Sequence, residues 1–225
     1  MIAYPSILEK TPTELFSQIQ KLSKYYSYFQ IDIADGKFVH NNTVQIEEII
    51  ERVTYNVKRE TLKKLSFEFH LMVKDYEKEI KKLLKLQKLM DIKTVLVHTS
   101  LFPKYQLLTK NHQHFSFGLV LNPEDSVNTI KTKYALNKIP IIQIMSVHPG
   151  AQGNPFIRES LQKIEQLRKA NYRNKISLDG AVNDKTIPII LSQKYIPDIV
   201  CPGSFLTKAE NLDERVSYLK EKIAV

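Results

Sequence analysis

Cysteine is nearly absent from this 225-residue chain: Cys201 stands alone. One thiol excludes an internal disulfide. The opening "MIAYPSILEK" has no basic region followed by an apolar core, so no secretory leader is read there. Together these place the expected location in the cytoplasm. Long apolar runs are missing as well. None approaches the ~20 residues of a membrane span, so no membrane partner is expected. There is no low-complexity segment and no Gly/Ser linker, and the glycine-rich turn G-x-G-x-x-G of a dinucleotide-binding sheet does not occur. The net charge of +9 would suit nucleic acid or a phosphorylated substrate. The lysines are spread along helical patterns with glutamates among them, as in "KEIKKLLKLQK", and no basic block alternates with aromatics. Nucleic acid is therefore not the expected partner.

What is present is alternation. Short β-branched and apolar runs recur as "MIAYPSI", "YFQIDIA", "LSFEFHLMV", "IKTVLVHT", "FSFGLVLN", "IPIIQIMSV", "KISLDGA" and "PDIVCPGS", each bounded by turn residues. Helical periods lie between them. Thr11 or Thr13 can cap "TELFSQIQKLSKYY", which sets Leu15, Ile19 and Leu22 on one face. "VQIEEIIERV", "DYEKEIKKLLKLQKL" and "PFIRESLQKIEQLRKA" repeat the pattern. "PKYQLLTKNH", "EDSVNTIKTKYAL" and "TIPIILSQK" are shorter versions, and "NLDERVSYLKEKIAV", capped by Asn211 or Asp213, ends the chain. Strands alternating with helices imply a parallel sheet with right-handed crossovers. Eight such units predict a (β/α)8 TIM barrel, a fold of about 250 residues, as a single domain over residues 1–225. An open doubly wound sheet is the alternative.

A barrel puts its chemistry at the C-terminal ends of the strands. Those positions carry Ser6, Asp32 with Asp35, His70, His98, Asn122, Ser146 with His148, Asp179 with Gly180, and Gly203 with Ser204. Asp32 and Asp179 interrupt apolar strands, where a carboxylate is costly unless paired or ligated. His70 shares that mouth. Asp35 precedes Gly36 and has two readings, a functional acid or an Asx-turn. His98 is either a lining residue or a core one, whereas His40, His112 and His114 read as loop or surface. Met72 and Met145 are packing residues close to the same mouth.

These residues sit in segments that resemble the ribulose-phosphate 3-epimerase family, including its hexulose-phosphate (allulose 6-phosphate) branch. The segments are "PSIL" (5–8), "DIADGKFVHN" (32–41), "FHLMV" (69–73), "LNPE" (121–124), "MSVHPGAQGNPFI" (145–157), "LDGAVN" (178–183) and "PGS" (202–204). Any one is weak; seven in order across the chain are strong. The resemblance implies a ribulose-phosphate-binding barrel that inverts C3 of a ketose phosphate, with Asp32 and Asp179 as the two acid/base groups. It implies a substrate site of Ser6, His70, Met145, Gly150, Gly153, Gly180, Ala181, Gly203 and Ser204, the last four cradling phosphate. It also implies a divalent metal (Mn, Mg, Zn or Fe) on Asp32, His70 and Asp179, and a homo-oligomer. The substrate is ribulose/xylulose 5-phosphate or a ketohexose 6-phosphate; "KAENLDE" (208–214) resembles the hexulose branch.

The chain departs from the family at telling places. Gln30 stands where the family has a metal-binding histidine, so the metal is expected to be weakened or absent. Three outcomes stay open: an ion held by the remaining ligands, a Gln30 NH₂ that bonds the enediolate directly, or a decayed barrel that only binds a sugar phosphate or a protein partner. Ala34 replaces a methionine, Gln152 a lid glycine, and Ala181 the second glycine after strand seven. The phosphate cradle is expected to survive if Ala181 keeps a negative φ.

Overall fold

A computed structural model describes residues 1–55 and 62–223. Nine parallel strands form one sheet: β1 (Ile2–Ala3), β2 (Ser6–Ile7), β3 (Tyr28–Ala34), β4 (Ser66–Met72), β5 (Asp91–His98), β6 (Ser116–Leu121), β7 (Ile141–Met145), β8 (Lys175–Asp179) and β9 (Ile199–Cys201). Their spatial order is β1-β9-β8-β7-β6-β5-β4-β3-β2. The two ends of that order are one stretch of chain. Tyr4 N–H donates to Val200 O (2.9 Å) on one side, and Pro5 O accepts from Gln30 N–H (2.9 Å) on the other. The single strand read in "MIAYPSI" is thus split at Tyr4–Pro5, because proline has no N–H to continue a ladder. It still closes the ring, and the sheet is the expected eight-stave (β/α)8 barrel.

The helices among the described residues are α1 (Pro12–Leu22), α2 (Ile46–Tyr55), α3 (Tyr76–Leu86), α4 (Tyr105–Asn111), α5 (Val127–Lys133), α6 (Gln162–Lys169), α7 (Ile187–Leu191), α8 (Ser204–Thr207) and α9 (Leu212–Lys222). Thr11 rather than Thr13 caps α1: its Oγ1 accepts from Glu14 N–H (3.2 Å), and Glu14 Oε2 accepts from Thr11 N–H (3.0 Å), a reciprocal capping box. Asn211 rather than Asp213 caps α9. Residues Arg158–Leu161 form a 3₁₀ turn before α6, so the helix in "PFIRESLQKIEQLRKA" starts later than its period suggests. The last two residues of "NLDERVSYLKEKIAV" lie outside the described residues. The four-residue α8 has no counterpart in the sequence reading.

The strands bury both faces, which is why they read as near-continuous apolar runs. Ile31, Ile33, Phe67, Phe69, Leu71, Val95 and Val97 point outward into the layer shared with the helices, together with Leu15, Ile19 and Leu22 of α1. Inside the barrel, Leu96, Val120, Ile141, Met145, Ile199 and Cys201 form a smaller apolar cluster. Side chains alternate along a strand, so Gln30 and Asp32 share the inward face with Glu68 and His70, their register partners on β4. No helix among the described residues is long and apolar enough to cross a membrane.

Candidate active site

Three buried side chains converge at the C-terminal mouth. Asp32 and His70 come from adjacent strands, and Asp179 comes from β8 on the far side of the closure. His70 Nδ1 lies 3.0 Å from Asp32 Oδ1 and 3.6 Å from Asp179 Oδ2. One ligand atom from each lies within 4.8 Å of the others.

Gln30 ties the group together. Its Nε2 donates to Asp32 Oδ1 (2.9 Å) and to Asp179 Oδ2 (2.8 Å). Its Oε1 accepts from the Cys201 thiol at 3.4 Å. This orientation sets the amide NH₂ against two carboxylate oxygens and the amide oxygen against the thiol, so that each contact joins a donor to an acceptor. The amide therefore bridges the two acids, instead of presenting oxygen to an ion or NH₂ to a substrate.

Gln143 adds a second amide that the sequence reading did not single out. Its Nε2 donates to Asp179 Oδ2 at 3.2 Å and lies 3.5 Å from His70 Nδ1. Glu68 is the other omission. It is fully buried, and neither carboxylate oxygen has a hydrogen-bond partner. The signal for both was in view: each interrupts an apolar strand, in "IPIIQIMSV" and "LSFEFHLMV", as Asp32 and Asp179 interrupt theirs.

Proximity and burial shape the acid–base chemistry. Burial first, then the neighbouring Asp32, push the Asp179 carboxyl up to about 7, against the pull of His70, the Gln30 amide and the Gly180 N–H. Glu68 is pushed up to about 8 by burial and then by Asp179 and Asp32, with Lys175 opposing. Burial also keeps Cys201 a thiol and, with the adjacent His70 ring, holds His98 far below its ordinary value.

His98 is fully buried at the end of β5, and its Nε2 lies 2.9 Å from His70 Nε2. Asp35 resolves as an Asx-turn: its Oδ1 accepts from Lys37 and Phe38 N–H (2.9 and 2.8 Å) and its Oδ2 from Lys74 N–H (2.8 Å). Burial pushes its carboxyl up, but those N–H groups outweigh it and hold it below the usual range. Ser146 is equally structural, donating to Gly180 O at 2.7 Å. His148 points away from the mouth, with 71% of its side chain exposed beside Glu124.

Above the acids, the cavity is walled by Ser6, Met72, Met145, Gly150, Gly153, Gly180, Ala181, Gly203 and Ser204, and by Gln152. Ala181 does not meet the condition of a negative φ: its φ is +49° and follows Gly180 at +114°, yet its N–H still points to no protein acceptor among the described residues. Gly180 cannot carry a side chain, because a Cβ there would lie 2.6 Å from Val147 Cγ2 and 2.9 Å from Val147 N. Ala181 is held in the left-handed region by its carbonyl, which accepts from Thr186 Oγ1 (2.6 Å) and Asn183 Nδ2 (3.0 Å). Among the described residues, the N–H groups of Ala181, Gly203 and Ser204 donate to no protein acceptor. The Gln152 amide nitrogen reaches to 3.7 Å from where a Cβ on Gly203 would stand.

Two carboxylates and an imidazole form a donor set that could hold a divalent metal. Their closeness in a dry site fits it: like charges held this near one another require a cation or a shared proton.

The family described as "Ribulose-phosphate 3 epimerase family" matches residues 2–204. A ribulose-phosphate 3-epimerase of Helicobacter pylori (strain ATCC 700392 / 26695) is 28% identical over 213 residues, covering 92% of this chain and 91% of its own. That of Bacillus subtilis (strain 168) is 29% identical, covering 83% of this chain and 84% of its own. Among solved structures, KGPDC from Streptococcus mutans in complex with D-R5P superposes with a TM-score of 0.67 at 11% identity, covering 98% of this chain and 95% of its own. Thiamine phosphate pyrophosphorylase from Pyrococcus furiosus gives 0.61 at 14%, covering 98% and 94%. At those identities the superpositions show the barrel alone.

Proposed function

This chain belongs to the ribulose-phosphate 3-epimerase family of carbohydrate isomerases, and from that premise we propose that it inverts C3 of a ketose phosphate, either ribulose/xylulose 5-phosphate or a ketohexose 6-phosphate. The observation that carries the reading is the pair Asp32 and Asp179, which approach from different strands and are bridged by one Gln30 amide. One carboxylate takes the C3 proton, and the C–H electron pair moves into the C2–C3 bond while the carbonyl pair moves onto O2. The other member, as the acid, returns a proton to the opposite face of C3. The two have then exchanged protonation states, so the reverse reaction is equally served. The raised Asp179 carboxyl supplies a proton-bearing member near neutrality, which is what general acid–base work requires.

When bound, a divalent cation on Asp32, His70 and Asp179 supplies positive charge to the enediolate oxygens. Gln30, in place of a fourth ligand, lowers the affinity for that ion. The set left to hold it, two carboxylates and a single imidazole, is oxygen-rich and would favour Mn²⁺ or Mg²⁺ over Zn²⁺. Ser6 orients the sugar, and His70 and Met145 line its reactive end. The unpartnered N–H groups of Ala181, Gly203 and Ser204, with the Gln152 amide, receive the phosphate, while Gly150 and Gly153 let the overlying loop approach. A barrel that merely binds sugar phosphate is not favoured, because the acid pair is intact and fully positioned. The lone buried thiol suits a reducing cytoplasm, and assembly into a homo-oligomer is expected.

The test is proton exchange at C3 in D₂O, followed by NMR for ribulose 5-phosphate and for a ketohexose 6-phosphate, each with and without chelator. Deuterium at C3 together with the epimer is the expected result for one of them. Absence of exchange with both, with and without added Mn²⁺, would remove the assignment.

A further inference from the structure

Gln143 stands in the middle of β7, fully buried, and the two ends of its amide are unequally used. Nε2 donates to Asp179 Oδ2 at 3.2 Å, lies 3.5 Å from His70 Nδ1 and touches Met145 Sδ at 3.7 Å. Oε1 has no hydrogen-bond partner among the described residues. A buried acceptor left empty is uncommon and asks for a reason.

Spacing supplies one. Two ligands at right angles on an ion with bonds of about 2.1 Å stand about 3 Å apart. Asp32 Oδ1 and His70 Nδ1, at 3.0 Å, and His70 Nδ1 and Asp179 Oδ2, at 3.6 Å, are close to that spacing. So are the distances from Gln143 Nε2 to Asp179 Oδ2 and to His70 Nδ1. The tip of Gln143 thus stands where a further ligand would stand, but with the wrong end forward. An amide NH₂ only donates, whereas the amide oxygen has lone pairs to offer a cation. Half a turn about the Cγ–Cδ bond exchanges the two ends. They are nearly equal in size, so tight burial does not forbid the turn.

Gln30 is the rival for this role, and its bonds hold it back. Its Nε2 is spaced alike, 2.9 Å from Asp32 Oδ1 and 2.8 Å from Asp179 Oδ2. Turning it would break both carboxylate bonds and the 3.4 Å bond that Cys201 gives to Oε1. Gln143 gives up a single carboxylate bond and has none to lose at Oε1. A cation on Asp179 also replaces the positive end that Asp179 loses. We propose that Gln143 turns Oε1 toward a divalent cation and becomes its fourth protein ligand, beside Asp32, His70 and Asp179. An amide from β7 then fills the place that Gln30 leaves. The inference rests on the Asp32–His70–Asp179 ligand reading but not on which sugar phosphate is turned over.

The experiment uses Mn²⁺ and the chelator-stripped protein, and it reads no turnover, so the epimerase assignment stands or falls separately. A crystal structure of the Mn²⁺ complex should show Gln143 Oε1 bonded to the ion. An ion on Asp32, His70 and Asp179 with the Gln143 NH₂ still on Asp179 overturns the inference and leaves the three-ligand reading standing. A protein that takes up no Mn²⁺, or holds it away from all three, overturns both. Affinity gives a second readout, from the free Mn²⁺ signal in electron paramagnetic resonance. Gln143→Leu should weaken Mn²⁺ by more than ~10-fold, since a lost ligand costs at least as much as a lost outer partner. Gln143→Glu, which keeps an oxygen at the tip, should bind at least as tightly as wild type. Equal affinity in wild type and Gln143→Leu would also overturn the inference, as would a Gln143→Glu variant no tighter than Gln143→Leu. If either variant does not fold, the wild-type complex still decides.

Discussion

The proposed acid pair and the proposed phosphate cradle share one cavity and are built by opposite means. At the floor, side chains on strands do the positioning, and Asp32, Asp179, Gln30, Gln143 and His70 are locked to one another by hydrogen bonds of 2.8–3.2 Å. At the rim, the backbone does it, with consecutive positive φ at Gly180 and Ala181 and N–H groups left open. The floor is fixed by its side-chain hydrogen bonds, although Gln143 Oε1 has no partner, whereas the rim is strained and its N–H groups stand open. Chemistry that moves a proton needs fixed geometry, and an anion needs donors that nothing else has claimed.

The sharpest way to break that division is to remove a proton carrier without disturbing shape. Asp32→Asn and Asp179→Asn keep size and most hydrogen bonding while losing the carboxylate. Each should lower kcat by about 10²–10⁴ with KM nearly unchanged, because the cradle is untouched. A variant at Asp179 that keeps full turnover would end the two-base account.

Gln30→His tests whether the floor is tuned away from metal. Asp32, His70 and Asp179 already offer ligand atoms within 4.8 Å of one another, so an added imidazole should raise divalent affinity more than the ~10–100-fold of an outer-sphere change, read by zinc retention after dialysis. The wild type should purify with little zinc. One tightly held zinc per wild-type chain contradicts this, and an inactive wild type rescued by Gln30→His would point to a decayed site.

How much of this was legible in the sequence follows the same division. Strand side chains announce themselves: Asp32, His70 and Asp179 stand out because polar residues in apolar strands are costly, and the alternation of "YFQIDIA" fixes which face they share. Gln143 and Glu68 carry the same signal but sit in mid-strand, away from the C-terminal ends to which a barrel's chemistry is assigned. The direction of the Gln30 amide could not be read, because it depends on Cys201, some 170 residues away, donating to its oxygen. The rim was least legible. Backbone dihedrals are not written in residue identity once alanine occupies a left-handed position, and the condition of a negative φ at Ala181 rested on residue type where tertiary hydrogen bonds decide.

Glu68 sets a second comparison within the barrel, between satisfied and unsatisfied buried acids. Its carboxyl is pushed up to about 8 from an ordinary value near 4.5. A raised acid contributes full stability below the unfolded value and loses it as pH climbs through the folded one. The wild type should therefore lose stability progressively from about pH 4.5 to pH 8, and Glu68→Gln should not share that loss. The gain in Tm of Glu68→Gln over wild type should be larger at pH 8 than at pH 5. A gain on the order of 2 kcal/mol at the higher pH corresponds to roughly 4–8 °C for a chain of this size. A constant difference across that range would mean Glu68 has found a partner.

The rim offers the smallest effect and the cleanest reading of strain. Ala181 sits at φ +49°, where an L-residue with a Cβ costs roughly 1–2 kcal/mol and glycine does not. Glycine gives back part of that by loosening the unfolded chain, roughly 0.4–1 kcal/mol. Ala181→Gly should therefore stabilise the protein by no more than about 1.6 kcal/mol, a rise of at most about 3–6 °C in Tm. It should leave the KM for the ketose phosphate nearly unchanged, because the carbonyl bonds to Thr186 and Asn183 already hold the backbone where a glycine would go. The two readouts separate two roles for the alanine. If Tm rises and KM stays put, the strain is borne by the fold alone and the cradle is preformed. If Tm rises but KM climbs as well, the methyl group stiffens the donors that receive the phosphate, and the strain is spent on binding. A fall in Tm would mean that the left-handed conformation at Ala181 is not the strained one.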